Sequence, residues 1–228
     1  MKTIKVAFTP DAQAQEITIS RFEELFGITY FPHLVFANWE VEDWIRRKCA
    51  RAFKKGRIKK LALWLGKLHG SQIDAAEIPD LTIRWVSDEI GYGLFTNRPL
   101  KQWEFIGEYT GTLRKRNLFF PNINDYCFMY PRAWVSIKAL TIDSKTEGCY
   151  TRFINHSDYP NCESVAIFHG DIFHIIFRTI QEIPANTQLT YDYGSIYWNR
   201  RKKIVEEPIE SLIAPEDLKK LQNDLSKN

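Results

Sequence analysis

The rhythm of hydrophobic and polar positions changes partway along the chain. From Val41 to Leu68 the apolar residues Trp44, Ile45, Phe53, Leu61, Trp64, Leu65 and Leu68 recur at intervals that fit helical faces. Gly56, Gly66 and Gly70 are predicted to break or end these helices. Ahead of them, Thr3 to Phe8 reads as a strand, and Ile78-Pro79-Asp80 reads as a boundary. Beyond it the pattern shortens. Leu81 to Val86 and Trp103 to Tyr109 alternate apolar and polar residues. Phe173 to Phe177 is β-branched and apolar, and Gln188 to Tyr191 is short and extended. The expected organisation is therefore a mixed helical region with a basic helix over 1–80, then a mainly β region from Leu81 onward. A helical segment is expected over 200–228.

Composition narrows the function classes. Hydrophobic residues make up 44% of the 228, which is enough to bury a core and argues against a disordered chain. No apolar stretch approaches the ~18 residues a membrane-spanning helix needs, so no membrane partner is expected. The two lysines near the start have no apolar run behind them. A general-secretion signal peptide is therefore not expected, although export through a specialised machine leaves no such mark. The formal charge of +3 is only mildly basic. Nine of the basic residues fall between Arg46 and Lys60. That run reads either as the solvated face of an amphipathic helix or as a patch for nucleic acid or another polyanion. Cys49, Cys127, Cys149 and Cys162 form no CxxC half-site, so a reducing compartment is the simpler reading and no metal is implied.

Four segments carry candidate chemistry: Gly91-Tyr92-Gly93-Leu94-Phe95, Glu108-Tyr109-Thr110-Gly111, Arg152-Phe153-Ile154-Asn155-His156-Ser157, and Leu189-Thr190-Tyr191-Asp192-Tyr193-Gly194. Gly-x-Gly at a strand lets the backbone take positive φ and approach a ligand closely, but it lacks the third glycine of a dinucleotide site. His156 and Ser157 adjoin in sequence. Neighbours on an extended chain point to opposite sides, so they are poorly placed as a hydrolytic pair, and no GxSxG elbow is present. Tyr191 and Tyr193, two apart, would share one face of a strand. They read either as core aromatics or, with Tyr109 and Tyr126, as the walls of a narrow channel for a long side chain ending in nitrogen.

In this order and spacing the four segments resemble the SET-domain family of protein-lysine methyltransferases. The resemblance covers about residues 81–199 and rests chiefly on Arg152-Phe153-Ile154-Asn155-His156-Ser157, Pro160-Asn161 and Tyr191-Asp192-Tyr193. It is strongest to compact bacterial members, some of them effectors of intracellular bacteria. It implies a β-clip fold of small curved sheets with a pseudoknot, flanked by helical N-terminal and C-terminal segments. It also implies methyl transfer from S-adenosylmethionine to a lysine ε-amine, with S-adenosylhomocysteine as product. Carried over by position, Gly91, Tyr92, Gly93, Tyr126, Arg152, Asn155, His156, Tyr197 and Trp198 would hold the cofactor. Tyr193 would be the catalytic tyrosine and Tyr109 the channel tyrosine. Tyr191 would sit at the position whose hydroxyl favours mono- or dimethylation.

The chain departs from many members in lacking cysteine-rich zinc clusters on either side of the domain. Asp158 stands where a cysteine often follows the serine, and Cys162 has no downstream partner motif. The cofactor lid is then expected from Tyr197 to Leu221, the C-terminal segment closing the site. The implied partners are a histone or a bacterial histone-like protein, with contact to DNA through Arg46 to Lys60. The implied location is the bacterial cytoplasm, or a host cell and its nucleus after secretion. The competing readings are a non-catalytic SET-like binding module and a methyltransferase of a non-histone protein. Retention of Tyr193, Tyr109, Asn155 and His156 argues against the first.

Overall fold

The computed structural model describes residues 2–116, 124–131 and 140–198. The chain divides into two compact units, Met1–Asp192 and Tyr193–Asn228. In the first unit the elements run β1 (Thr3–Ala7), β2 (Gln15–Thr18), α1 (Ile19–Phe26), β3 (Thr29–Tyr30), β4 (Val35–Phe36), α2 (Trp39–Lys54) and α3 (Lys60–Asp74). There follow β5 (Leu81–Ser87), β6 (Gly91–Thr96), β7 (Phe105–Glu108), β8 (Thr112–Lys115), β9 (Cys127–Met129), β10 (Leu140–Asp143) and β11 (Glu147–Gly148). After a 3-10 turn at Tyr150–Phe153 come β12 (Asn155–His156), β13 (Cys162–His169), β14 (Ile172–Thr179) and β15 (Thr190–Tyr191). In the second unit one helical turn, α4 (Ser195–Trp198), is described. The helical segment expected over 200–228, with most of the expected lid, lies outside the described residues.

The fold is mainly β, in small sheets ordered β2-β1-β5-β6, β4-β8-β10-β9, β13-β14-β7, β11-β3 and β12-β15. Residues 1–80 supply strands to three of them: β1 runs parallel to β5, β3 parallel to β11, and β4 parallel to β8. One core joins Val6, Phe22 and Ile45 to Ile83, Leu94, Leu113, Ile142, Phe177 and Leu189, all fully buried or nearly so. Residues on both sides of Pro79 thus remove the same apolar surface from water.

Helix α2 begins where Asn38 Oδ1 accepts the Val41 N–H at 3.0 Å, with Glu40 and Glu42 in the first turn and Arg51 and Lys54 in the last. This charge order complements the helix dipole. Just past its capping residue Lys55 stands Gly56, whose φ of +63° suits a residue without a side chain. The expectation that Gly66 and Gly70 also stop a helix is corrected: both lie inside α3. A Cβ on Gly66 would sit 1.9 Å from the Phe168 carbonyl oxygen, and one on Gly70 2.4 Å from the His169 ring. Here the small residues serve the close approach of α3 to β13. The helical rhythm over 41–68 is met by α2 and α3, but it did not separate buried from exposed positions. Ile45 and Leu65 are buried, but Phe53, Leu61, Trp64 and Leu68 are each more than half exposed.

Candidate functional site

The glycine pair opens β6. Gly91 takes φ +76° and has no heavy atom within 4 Å of where a Cβ would stand. Gly93 is crowded: its Cβ would lie 2.5 Å from Gln188 Nε2 and 3.1 Å from Asn155 Nδ2. That space is used, because Asn155 Nδ2 donates to the Tyr92 carbonyl at 3.1 Å. The Tyr92 ring packs edge-on against Phe26 and Trp85 at 5.0 and 5.1 Å. Gly91, Tyr92, Gly93 and Asn155, spread over 65 residues of sequence, therefore meet at one place.

Strand β12 then runs parallel to β15, pairing Asn155 with Thr190 and His156 with Tyr191. The Ser157 N–H donates to the Tyr191 carbonyl at 3.3 Å. The register is stapled by Asn161, which the motif contained but whose role was not anticipated. Its Oδ1 accepts the Thr190 N–H at 2.9 Å and its Nδ2 donates to the Gln188 carbonyl at 2.7 Å. His156 lies between two carboxylates, with Nε2 3.3 Å from Asp158 and Nδ1 3.7 Å from Asp192. The Ser157 Oγ accepts the Tyr159 N–H at 2.9 Å, a turn contact.

Tyr191 belongs to an aromatic cluster. Its ring centroid is 4.8 Å from Phe177 and 6.2 Å from Phe128, nearly parallel to the latter. Tyr109 closes the group at 5.3 Å from Phe128 and 6.1 Å from Phe177. The buried Tyr109 donates its hydroxyl to the Tyr126 carbonyl at 2.7 Å, which fixes its oxygen. The Tyr126 ring in turn carries the Arg152 guanidinium, 4.0 Å from its centroid. Burial lowers the Arg152 pKa from its ordinary value, so the cation over that ring is held by the fold at a cost in hydration. Phe128 and Phe177 were not singled out from sequence. As apolar residues within apolar strands they look like ordinary core.

Tyr193, Tyr197 and Trp198 lie in the second unit and pack on one another there. The Tyr193 ring is 4.6 Å from Tyr197 and 6.4 Å from Trp198, and Gly194 takes φ +80° at the bend between them. The expectation that Tyr191 and Tyr193 share a strand face is corrected, since β15 ends at Tyr191.

Thiol nucleophiles fit this environment poorly. Burial pushes the Cys162 thiol up to about 12 and Cys49 to about 11, and it raises Cys149 as well. What the geometry assembles instead is a strand cradle with open space at Gly91, joined through β12 and β15 to a wall of aromatic rings. The family model described as the SET domain matches residues 91–194, the segment that contains every one of these strands from β6 to β15.

Residues 91–194 are a SET domain.

Among proteins similar to this chain, the "Variant-silencing SET domain-containing protein" of Plasmodium falciparum is 32% identical over 124 residues, 51% of this chain and 5% of that protein. The "Histone-lysine N-methyltransferase EZH2" of Chaetomium thermophilum is 28% identical over 126 residues, 51% of this chain and 8% of that protein. The chain thus spans under a tenth of the length of either relative. A solved structure, that of KRYPTONITE in complex with mCHH DNA, H3(1-15) peptide and SAH, aligns at 23% identity and a TM-score of 0.41. The alignment covers 50% of this chain and 23% of that one. Within the SET domain of this chain, the glycine pair, Asn155, His156 and Tyr191 form one continuous arrangement through hydrogen bonds and strand pairing.

Proposed function

We propose that this protein transfers a methyl group from S-adenosylmethionine to the ε-amine of a protein lysine. The observation that carries the reading is the parallel pairing of β12 with β15. Through it the Asn155–Tyr92 contact beside Gly91 and the Tyr191–Phe128–Phe177–Tyr109 cluster become parts of one site. A cofactor fits the first part: the backbone at Gly91 is open where any side chain would intrude, Asn155 supplies a polar group beside Gly93, and His156 follows it on β12. When bound, the sulfonium supplies an electrophilic methyl group.

The protein's own residues supply position and dryness. A free lysine amine has a pKa of about 10.4 and is a charged non-nucleophile at neutral pH. Aromatic walls hydrate an ammonium poorly, so the neutral amine gains relative to it. Tyr109, with its hydroxyl fixed by the Tyr126 carbonyl, and Tyr191 orient that amine by hydrogen bonds. Alignment at ~3–3.5 Å then removes much of the entropic barrier. Tyr193 is assigned the catalytic hydroxyl, and Tyr197 and Trp198 the aromatic contact to the adenine. Arg152 and Tyr126 support the cofactor side. The Tyr191 hydroxyl restricts the turn that an already methylated amine must make, so mono- and dimethyl-lysine are the expected products. The resemblance of the domain to histone-lysine methyltransferases supports a basic, histone-like substrate.

The test is transfer of labelled methyl from S-adenosylmethionine to histones and bacterial histone-like proteins, with products read by mass spectrometry. Tyr193→Phe is expected to lose about 10²-fold or more in rate, as when a positioned hydroxyl is removed from a reacting centre. Equal labelling by both forms refutes the catalytic assignment. Cofactor binding without transfer to any protein favours a binding module, and abundant trimethyl-lysine refutes the role given to Tyr191.

A further inference from the structure

Between Asp43 and Asp74 the chain has ten Lys and Arg residues and no carboxylate. Arg46 and Arg47 are paired with Glu42 and Asp43. Arg51, Lys54, Lys55, Arg57, Lys59, Lys60 and Lys67 are exposed, and none makes an ion pair with a described residue. Interleaved with them are the four apolar side chains whose exposure the sequence pattern did not anticipate: Phe53 at 58%, Leu61 at 54%, Trp64 at 57% and Leu68 at 51%. Leu61, Trp64 and Leu68 recur at helical spacing and make one stripe along α3. Ala62, Leu65, Gly66, His69 and Ile73 form the opposite face, buried toward β13. Phe53 stacks on Phe168 at 5.9 Å, the same residue whose backbone Gly66 touches, so it flanks the stripe from α2.

The two properties together choose the occupant. A second copy of the chain would set these cations against their equals, which like-charge repulsion opposes. Nucleic acid would match the cations but offers its phosphates nothing to bury Leu61 and Leu68, and leucine does not stack on bases. A bilayer rich in anionic lipid satisfies both. Apolar side chains enter the boundary between headgroups and acyl chains while flanking Lys and Arg reach the phosphates. We propose that the α2–α3 face is a peripheral docking surface for anionic membranes. The expectation of no membrane partner came from the lack of a spanning segment. That bears on crossing a bilayer, not on lying against one. The inference stands apart from methyl transfer.

The test is cosedimentation of the full chain with vesicles of neutral phosphatidylcholine, and of the same lipid with about 30% phosphatidylserine. Binding is expected only to the anionic vesicles and weakens at high salt. Two variants change outward-facing side chains only: Leu61→Ser with Trp64→Ser, and Lys54→Gln with Lys55→Gln, Lys59→Gln and Lys60→Gln. Each should lose about tenfold or more in vesicle affinity, with melting temperature and methyl transfer near wild type. If the serine variant binds as well as wild type, the surface reads charge alone and the proposal fails. It also fails if duplex DNA is bound and vesicles are not, or if neutral and anionic vesicles bind equally.

Discussion

Replacing Asn161 with alanine removes two bonds that hold Gln188 to Thr190 beside the Asn155–His156 strand: Oδ1 to the Thr190 N–H at 2.9 Å and Nδ2 to the Gln188 carbonyl at 2.7 Å. Asn161 is only 9% exposed, so water cannot freely take its place. A buried main-chain group left without its partner costs about 1–3 kcal/mol, and the two together give an expected loss of about 2–4 kcal/mol. A domain of this size is stable by about 5–15 kcal/mol, so the variant folds but is measurably weakened. The loss should appear first in the 188–191 segment, and therefore in cofactor affinity. Asn161→Asp sharpens the reasoning. Its carboxylate can still accept from Thr190, but only its protonated form can donate to Gln188. That requirement raises the folded-state pKa of the new group above its ordinary ~4. Stability from it is present below that ordinary value and is lost as pH rises through the folded value. The gap between Asn161→Asp and wild type should therefore narrow in acid and widen toward neutrality. Urea denaturation followed by circular dichroism measures the stability, and titration calorimetry measures cofactor binding. An Asn161→Ala variant within about 0.5 kcal/mol of wild type refutes the argument that this side chain staples the site.

Two further predictions follow from packing and charge. Gly66→Ala would gain about 1 kcal/mol on an exposed helix. Here the new Cβ meets the Phe168 carbonyl oxygen at 1.9 Å, and overpacking of about 1–3 kcal/mol or more reverses the sign. Thermal melts should show a lowered midpoint, and a raised one would show that α3 shifts without penalty. Burial of Asp143 favours its neutral form, but hydrogen bonds from Asn124 and Arg114 outweigh this and hold its pKa below the usual carboxylate range. Its stabilisation is therefore complete above the ordinary carboxylate pKa and is lost as pH falls through the lower folded value. Asp143→Asn should cost stability at neutral pH and flatten the acid limb of the stability curve. An unchanged acid limb refutes the assignment.

The motif segments were legible because they are local. A strand opening on Gly-x-Gly, the Asn155-His156-Ser157 run and the Tyr191-Asp192-Tyr193 run each keep their residue types within a few positions. The aromatic wall was half legible. Tyr109 and Tyr191 carry hydroxyls that invite attention, whereas Phe128 and Phe177 read as any core residue and acquire their place only when β9 and β14 bring them to Tyr191. Asn161 belonged to the quoted motif, but its function depends on a contact across some 29 residues.

Residue pattern alone determined that the chain alternates helical and strand rhythms, and its motif segments carried the resemblance to the SET-domain family. Periodicity reports which residues share a face. It does not report what the face meets, since an apolar stripe on a helix is written the same way whether a sheet or solvent lies over it. Only the tertiary structure decided that Leu65 is buried while Leu61, Trp64 and Leu68 are open, that Gly66 and Gly70 admit a strand rather than end a helix, and that the first 80 residues share the core of the domain after them. Those outcomes are set by contacts between residues far apart in the chain, and no local rule of spacing contains them.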